Sequence, residues 1–192
     1  MRTFFAIPLQ EGVRESIRSA AGQLRAATQM RASWVRPENY HLTVRFLGDI
    51  EPMLTVDLTN LADELVADRK PFEIPLERIG AFPSFDRARV LWIGGDAPDT
   101  FVDLVGNLNA QITRLGFKPE RKATIAHVTI ARVKGRFDEQ LGSIVRDLGP
   151  LRSESVHVDR IVLMQSELAP GGAIYTPLAE AHFGRRERQE GG

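Results

Sequence analysis

One local pattern occurs twice in the chain. His41-Leu42-Thr43-Val44-Arg45-Phe46 and His127-Val128-Thr129-Ile130-Ala131-Arg132 each set an imidazole, an apolar residue, a threonine and a second apolar residue in a row. Side chains alternate faces along a β-strand, so each copy predicts a strand with a polar face and a core face. In the first copy His41, Thr43 and Arg45 fall on the polar face, and Leu42, Val44 and Phe46 on the core face. In the second, His127 and Thr129 share the polar face above Val128 and Ile130. Arg132 has the wrong parity for a regular strand and reaches that face only if the strand twists or bulges. Two such strands facing one another would deliver two histidines and two hydroxyls to a single cleft.

The segments around the motifs suggest how the strands come to face one another. Thr3 to Ile7 is a short β-prone run stopped by Pro8. From Glu11 to Met30, Val13, Ile17, Ala20, Ala21 and Leu24 recur at helical spacing. Trp34-Val35 and the turn cluster Pro37-Glu38-Asn39 precede the first motif strand. A second helix opens at Pro52, carries Leu54, Leu58, Leu61 and Leu65, and runs to about Asp68. Phe72 to Phe82 reads as a strand interrupted by Pro75, near a sheet edge or a bulge. Ala88 to Ile93 is a further strand. A third helix spans Asp99 to Leu115 and stops at Gly116. A polar, basic connector, Phe117 to Ala123, leads into the second motif. Phe137 to Leu148 is a fourth helix. Val156 to Met164 and Ala173 to Phe183 are long β-prone stretches, and the polar residues 185–192 read as a flexible, solvated tail.

Helices separated by pairs of strands favour an α+β fold over a doubly wound parallel sheet. No glycine-rich phosphate fingerprint follows any strand. Each half contains a strand, a helix and a motif strand, a weak repeat that suggests two pseudo-equivalent lobes. Residues 1–184 are expected to form one bilobal domain.

Composition narrows the chemistry further. Arginine plus lysine equals aspartate plus glutamate, 25 of each, so no broad field draws in long nucleic acid and a charged substrate must be met locally. The chain has no cysteine, which removes disulfides, thiolate zinc sites and a thiol nucleophile, and which accords with a cytoplasmic location. No apolar run approaches the length of a membrane helix, and the start of the chain lacks a signal-peptide pattern. The helices offer no second apolar stripe, so a monomer without an obligate protein partner is expected.

Two histidines in one cleft suit an acid–base pair, since one neutral and one protonated imidazole can coexist near neutral pH. Two hydroxyls, an imidazolium and an arginine suit a phosphate. In-line attack on phosphorus, with one histidine on each side, is the natural reaction. A single histidine in an alternating strand is more often structural, and it is the repetition that favours a paired role. A zinc site is disfavoured because neither motif offers a second close histidine or carboxylate. His157 and His182 lie in alternating β stretches and read as structural or surface residues.

His41-x-Thr43-x-x-Phe46-Leu47-Gly48, followed by His127-x-Thr129-x-x-Arg132, resembles the paired motifs of the 2H phosphoesterase superfamily. Within it the chain looks like the RNA 2′,3′-cyclic phosphodiesterases, also called 2′-5′ RNA ligases. The likeness extends to Arg2-Thr3-Phe4-Phe5-Ala6-Ile7, Trp34-Val35, Asn39-Tyr40, Val90-Leu91-Trp92, Ala126 to Val133, Leu163 to Leu168, Gly172 and Tyr175. It implies a bilobal α+β fold in which two antiparallel sheets flank a central cleft, with helices on the outer faces. It implies hydrolysis of 2′,3′-cyclic phosphates, at RNA 3′ ends or in small cyclic nucleotides, to 2′-phosphomonoesters, with no cofactor and no metal. His41 would be the proton donor, His127 the proton acceptor, and Thr43, Thr129 and Arg132 the phosphate ligands. A 5′-hydroxyl in place of water would give reversible 2′-5′ ligation, with hydrolysis the principal activity because water is far more abundant. Two alternatives stay open: another cyclic substrate, such as an ADP-ribose cyclic phosphate, and an RNA-end-binding module without turnover.

Overall fold

The apolar stripes anticipated above determine how the helices pack. In a computed structural model describing residues 1–120, 124–135, 138–149, 151, 154–170 and 172–184, the elements follow one another from β1 (Arg2–Pro8) and α1 (Glu11–Ala27) through β2 (Ala32–Trp34) to β3 (His41–Asp49) and α2 (Leu54–Val66). The middle of the chain gives β4 (Phe72–Leu76), β5 (Arg78–Phe82), β6 (Val90–Gly94) and α3 (Asp99–Arg114). The last part gives β7 (His127–Val133), α4 (Leu141–Leu148), β8 (Glu154–Val158), β9 (Arg160–Ala169) and β10 (Gly172–His182). The expected tail 185–192, and Phe137 at the expected start of the fourth helix, lie outside the described residues.

Helix α1 buries Val13, Ile17, Ala21 and Leu24, and α3 buries Phe101, Leu104, Val105, Leu108 and Ile112. Each large apolar side chain removed from water in this way contributes about 1.5–3 kcal/mol before entropy is counted. Gly116 ends α3: its φ of +92° is left-handed, and its N–H returns to the Thr113 carbonyl at 3.0 Å. A residue with a Cβ is strained in that conformation, which is why a glycine stops the helix here.

The two antiparallel sheets expected from the family resemblance meet as the halves of one larger sheet. One half runs β10-β9-β1-β3 and the other β7-β6-β5, with β2 also paired to β7. The halves join between the two motif strands through the Leu42–Val128 pair. Helix α2 covers β9 and β10, while α3 packs on α2 and β3. Buried residues from both halves form one continuous core cluster. Among the described residues no helix is long and apolar enough to cross a membrane.

Two stretches that read as single strands are each divided between sheets. Phe72 to Phe82 becomes β4 and β5, and the break after Leu76 sends β4 to a separate two-stranded sheet with β8. Pro75 is tolerated there because both strands of a two-stranded sheet are edges. Val156 to Met164 is divided at Asp159, whose carbonyl accepts the Phe183 N–H at 2.9 Å. Residues before it pair with β4, and those after it join β1 and β10.

Candidate active site

Both motif strands carry a β-bulge at the same step. Along β1 and β3, Ala6 faces Thr43 and Phe5 faces Arg45, so Val44 is the extra residue. Along β6 and β7, Trp92 faces Thr129 and Leu91 faces Ala131, so Ile130 is the extra residue. A bulge inverts the parity of everything beyond it. Val44 and Arg45 are consecutively buried, as are Ile130 and Ala131. Past the bulges, Phe46 and Arg132 return to the histidine–threonine face.

This corrects the regular-strand reading of Arg45. Instead of facing the cleft it is 7% exposed, donates to the Lys118 carbonyl and lies 3.4 Å from Glu120. Phe46, assigned to the core by simple alternation, is 44% exposed and lines the cleft. The bulge that Arg132 required is present.

The cleft has a volume of about 340 Å³, and His41, Thr43, Thr129 and Arg132 are among its walls. Arg2, Phe4, Asn39, Phe46, Ser166 and Tyr175 share the lining, and among the described residues no acidic side chain does. A larger hollow of about 490 Å³ lies beside α1, where Ser16 donates to Glu154 at 3.0 Å, and it contains no motif residue. Hollow size is therefore a poorer guide here than the convergence of polar groups.

The two imidazoles are held in the same way. His41 Nδ1 lies 2.8 Å from the Asn39 carbonyl oxygen, and His127 Nδ1 lies 2.8 Å from the Ile125 carbonyl oxygen. A carbonyl only accepts, so Nδ1 carries the hydrogen in each ring and Nε2 is left to gain or lose the reacting proton. His41 Nε2 lies 3.1 Å from Thr43 Oγ1. The Thr43 hydroxyl donates to the neutral ring and accepts from the protonated one.

Aromatic rings flank each histidine. Phe4 and Tyr175 lie 4.9 and 5.1 Å from the His41 ring, the tyrosine edge-on. Phe82 and Trp92 lie 5.0 and 6.0 Å from the His127 ring. Trp92 in turn lies over Gly80, where an added Cβ would come within 2.1 Å of the indole. Burial among these rings lowers the pKa of His41 below its ordinary value, the Asn39 carbonyl partly opposes this, and the charges of His127 and Arg132 lower it further. Burial also lowers the pKa of His127, with the Ile125 carbonyl opposing. Both rings therefore favour the neutral form until an anion enters.

The remaining histidines lie on other strands. His157 on β8 contacts Glu73 at 2.6 Å, and His182 on β10 lies 3.3 Å from Glu180. Among the described residues, no group of three histidine, cysteine or carboxylate side chains could hold a metal ion. Tyr175, Phe82 and Arg2 were not singled out as site residues from the sequence. The aromatic pairs come from four different strands, and no local spacing relates them.

Comparison with known proteins agrees with this architecture. The family described as LigT like Phosphoesterase matches residues 7–92 and 94–175. The RNA 2′,3′-cyclic phosphodiesterase of Methanothermobacter thermautotrophicus is 34% identical, over 93% of this chain and 96% of its own. The protein of the same name from Thermotoga maritima is 31% identical over 95% of this chain and 96% of its own. Among solved structures, a Thermus thermophilus protein has a TM-score of 0.82 at 28% identity, covering 96% of this chain and 98% of its own. E. coli LigT complexed with 3′-AMP has a TM-score of 0.76 at 26% identity, covering 95% and 97%. The paired motifs, the fold built around them and these matches together place the chain in the LigT-like phosphoesterase family, within the 2H superfamily.

Proposed function

We propose that the chain is a cyclic phosphodiesterase that hydrolyses 2′,3′-cyclic phosphates at RNA 3′ ends to 2′-phosphomonoesters. The observation that carries the reading is the pair of imidazoles on the adjoining motif strands, His41 in the cleft wall and His127 beyond its lining but near enough for its charge to act on His41, each with Nδ1 tied to a carbonyl and Nε2 left for proton transfer. The names of the relatives support the substrate class.

In the proposed reaction the cyclic phosphate lies between the two rings. His127 Nε2 takes a proton from water as the water oxygen bonds to phosphorus. The bond from phosphorus to O3′ breaks, and His41 Nε2–H gives its proton to that oxygen. The phosphate remains on O2′. Thr43, Thr129 and Arg132 hold the non-bridging oxygens, whose charge also favours the imidazolium that burial disfavours. His127 ends the cycle protonated and His41 neutral, and exchange with solvent resets them. If a 5′-hydroxyl replaces water, the same steps form a 2′-5′ linkage, so ligation is the minor reaction of the same site. No step uses a metal or a cofactor, and the proposed unit is a monomer working in the cytoplasm on RNA ends.

The test is substitution of each histidine. Removing a positioned general acid or base costs about 10²- to 10⁴-fold in kcat. His41→Ala and His127→Ala are each expected to show a loss in that range while keeping the wild-type circular-dichroism spectrum. Near-normal turnover by either variant would make that histidine structural.

A further inference from the structure

Arg2 is the cation at the cleft that the reaction above leaves without a task. It begins β1, is exposed, and lines the cleft together with Ser166. Its guanidinium lies 4.9 Å from the centroid of the Phe46 ring, an arrangement that orients the side chain without neutralising it. Asp49 faces Arg2 across the β1–β3 ladder, but its carboxylate lies 3.9 Å from the Met1 amino group, and among the described residues no carboxylate stands within ion-pair distance of the Arg2 guanidinium. An arginine held outside ion-pair distance of a carboxylate, in a cleft whose described lining has no acidic side chain, suits an anionic ligand.

Its position sets which anion that is. Ala6 faces Thr43 across the β1–β3 ladder, and Arg2 stands four residues further along β1. At about 3.3 Å per residue the Arg2 Cα is roughly 13 Å along the strand from the reacting site. That is too far to share the reacting phosphate, while the length of an arginine side chain closes much of the gap to the neighbouring group. Ser166 stands beside the Thr3–Gln165 pair on β9, next to Arg2, and supplies a hydroxyl there. Phe46 occupies the step after its bulge that Arg132 occupies after the other, so the two lobes present an arginine-bearing wall on each side of the cleft.

We infer that Arg2, held on Phe46 and aided by Ser166, binds the 5′-phosphate of the nucleotide that carries the cyclic phosphate, making the cleft a two-phosphate site. In RNA that group is the phosphodiester to the preceding nucleotide. A nucleoside 2′,3′-cyclic phosphate lacks it. The inference rests on the cyclic-phosphodiesterase reading above and deepens it by naming the substrate feature that separates an RNA end from a cyclic mononucleotide.

Binding tests it without depending on turnover. Titration calorimetry would compare a nucleoside 2′,5′-bisphosphate with the matching 2′-monophosphate. One added charge-assisted contact should tighten wild-type binding by about tenfold. In Arg2→Ala the ratio of the two dissociation constants should fall to near one, and Arg2→Lys should keep part of it. An equal affinity of the wild type for both ligands, or an undiminished ratio in Arg2→Ala, would overturn the inference. Turnover of cyclic nucleotides with and without a 5′-phosphate then separates the two claims. Failure to cleave either, with the binding ratio intact, counts against the proposed reaction but leaves the second phosphate site standing.

Discussion

Val44 and Ile130 occupy the same step of the two motif strands, and each is the extra residue of a bulge. The consequence is opposite for the arginines nearby. The first bulge turns Arg45 away from the cleft, and the second turns Arg132 into it. One backbone device applied twice therefore gives the cleft an arginine on one lobe and an aromatic ring on the other.

Arg132 is expected to act as a phosphate ligand. An ion-assisted hydrogen bond is worth about 1.5–3 kcal/mol, or roughly 10- to 100-fold in affinity. Arg132→Ala should weaken inhibition by inorganic phosphate by that factor. Arg132→Lys should recover only part of it, because an ammonium cannot reproduce the forked contact. Unchanged inhibition in both variants would remove Arg132 from the site.

Arg45 is expected to act on stability. Its side chain is buried and donates to the Lys118 carbonyl, and Lys118 belongs to the connector that leads to the second motif. Arg45→Ala removes that donor and leaves a void, at a cost of about 1–3 kcal/mol. Arg45→Met, which keeps most of the packing, should lose less. Urea denaturation of the two variants measures both.

Acid should destabilise the folded chain through the two motif histidines. Both bind a proton less readily when folded than at the ordinary value of 6.5. Below that value the unfolded chain takes up more protons, so stability is fully present above pH 6.5 and is lost as pH falls through the lowered folded pKa values. The melting temperature should fall between pH 7 and pH 5, and fall less in a His41→Gln, His127→Gln double variant. Parallel curves for the two proteins would contradict the burial argument.

Gly80 is expected to be irreplaceable without rearrangement. Its Cα faces the Trp92 indole so closely that an added methyl must displace the ring. Overpacking of this kind costs about 1–3 kcal/mol. Gly80→Ala should lower the melting temperature, change the near-ultraviolet circular dichroism and, since Trp92 packs near His127, reduce kcat. A variant with wild-type stability and spectrum would show that the indole has room to move.

The alternation of residues 41–44 and 127–130 made both histidine–threonine faces legible, because local period is what a strand face reads. The bulges were not legible. Val44-Arg45-Phe46 continues a perfect apolar–polar alternation, and only its register on β1 makes Val44 the extra residue. The division at Asp159 was hidden for a similar reason. No glycine or proline marks it, and the change of sheet depends on which strands lie alongside. The α+β class was readable from element order, whereas the fusion of two half-sheets at Leu42 and Val128 depends on one tertiary contact. Arg132 was readable as a charge near the site, while its place in the cleft required the bulge at Ile130.

The most direct test of the central claim is the phosphorus NMR spectrum of a nucleoside 2′,3′-cyclic phosphate incubated with the purified protein in EDTA. Accumulation of the 2′-phosphomonoester, abolished in the His41→Ala, His127→Ala double variant, is the expected result. Accumulation of the 3′-phosphomonoester would mean that the other oxygen leaves, and no turnover of this substrate or of cyclic-ended RNA would contradict the two-histidine reaction outright.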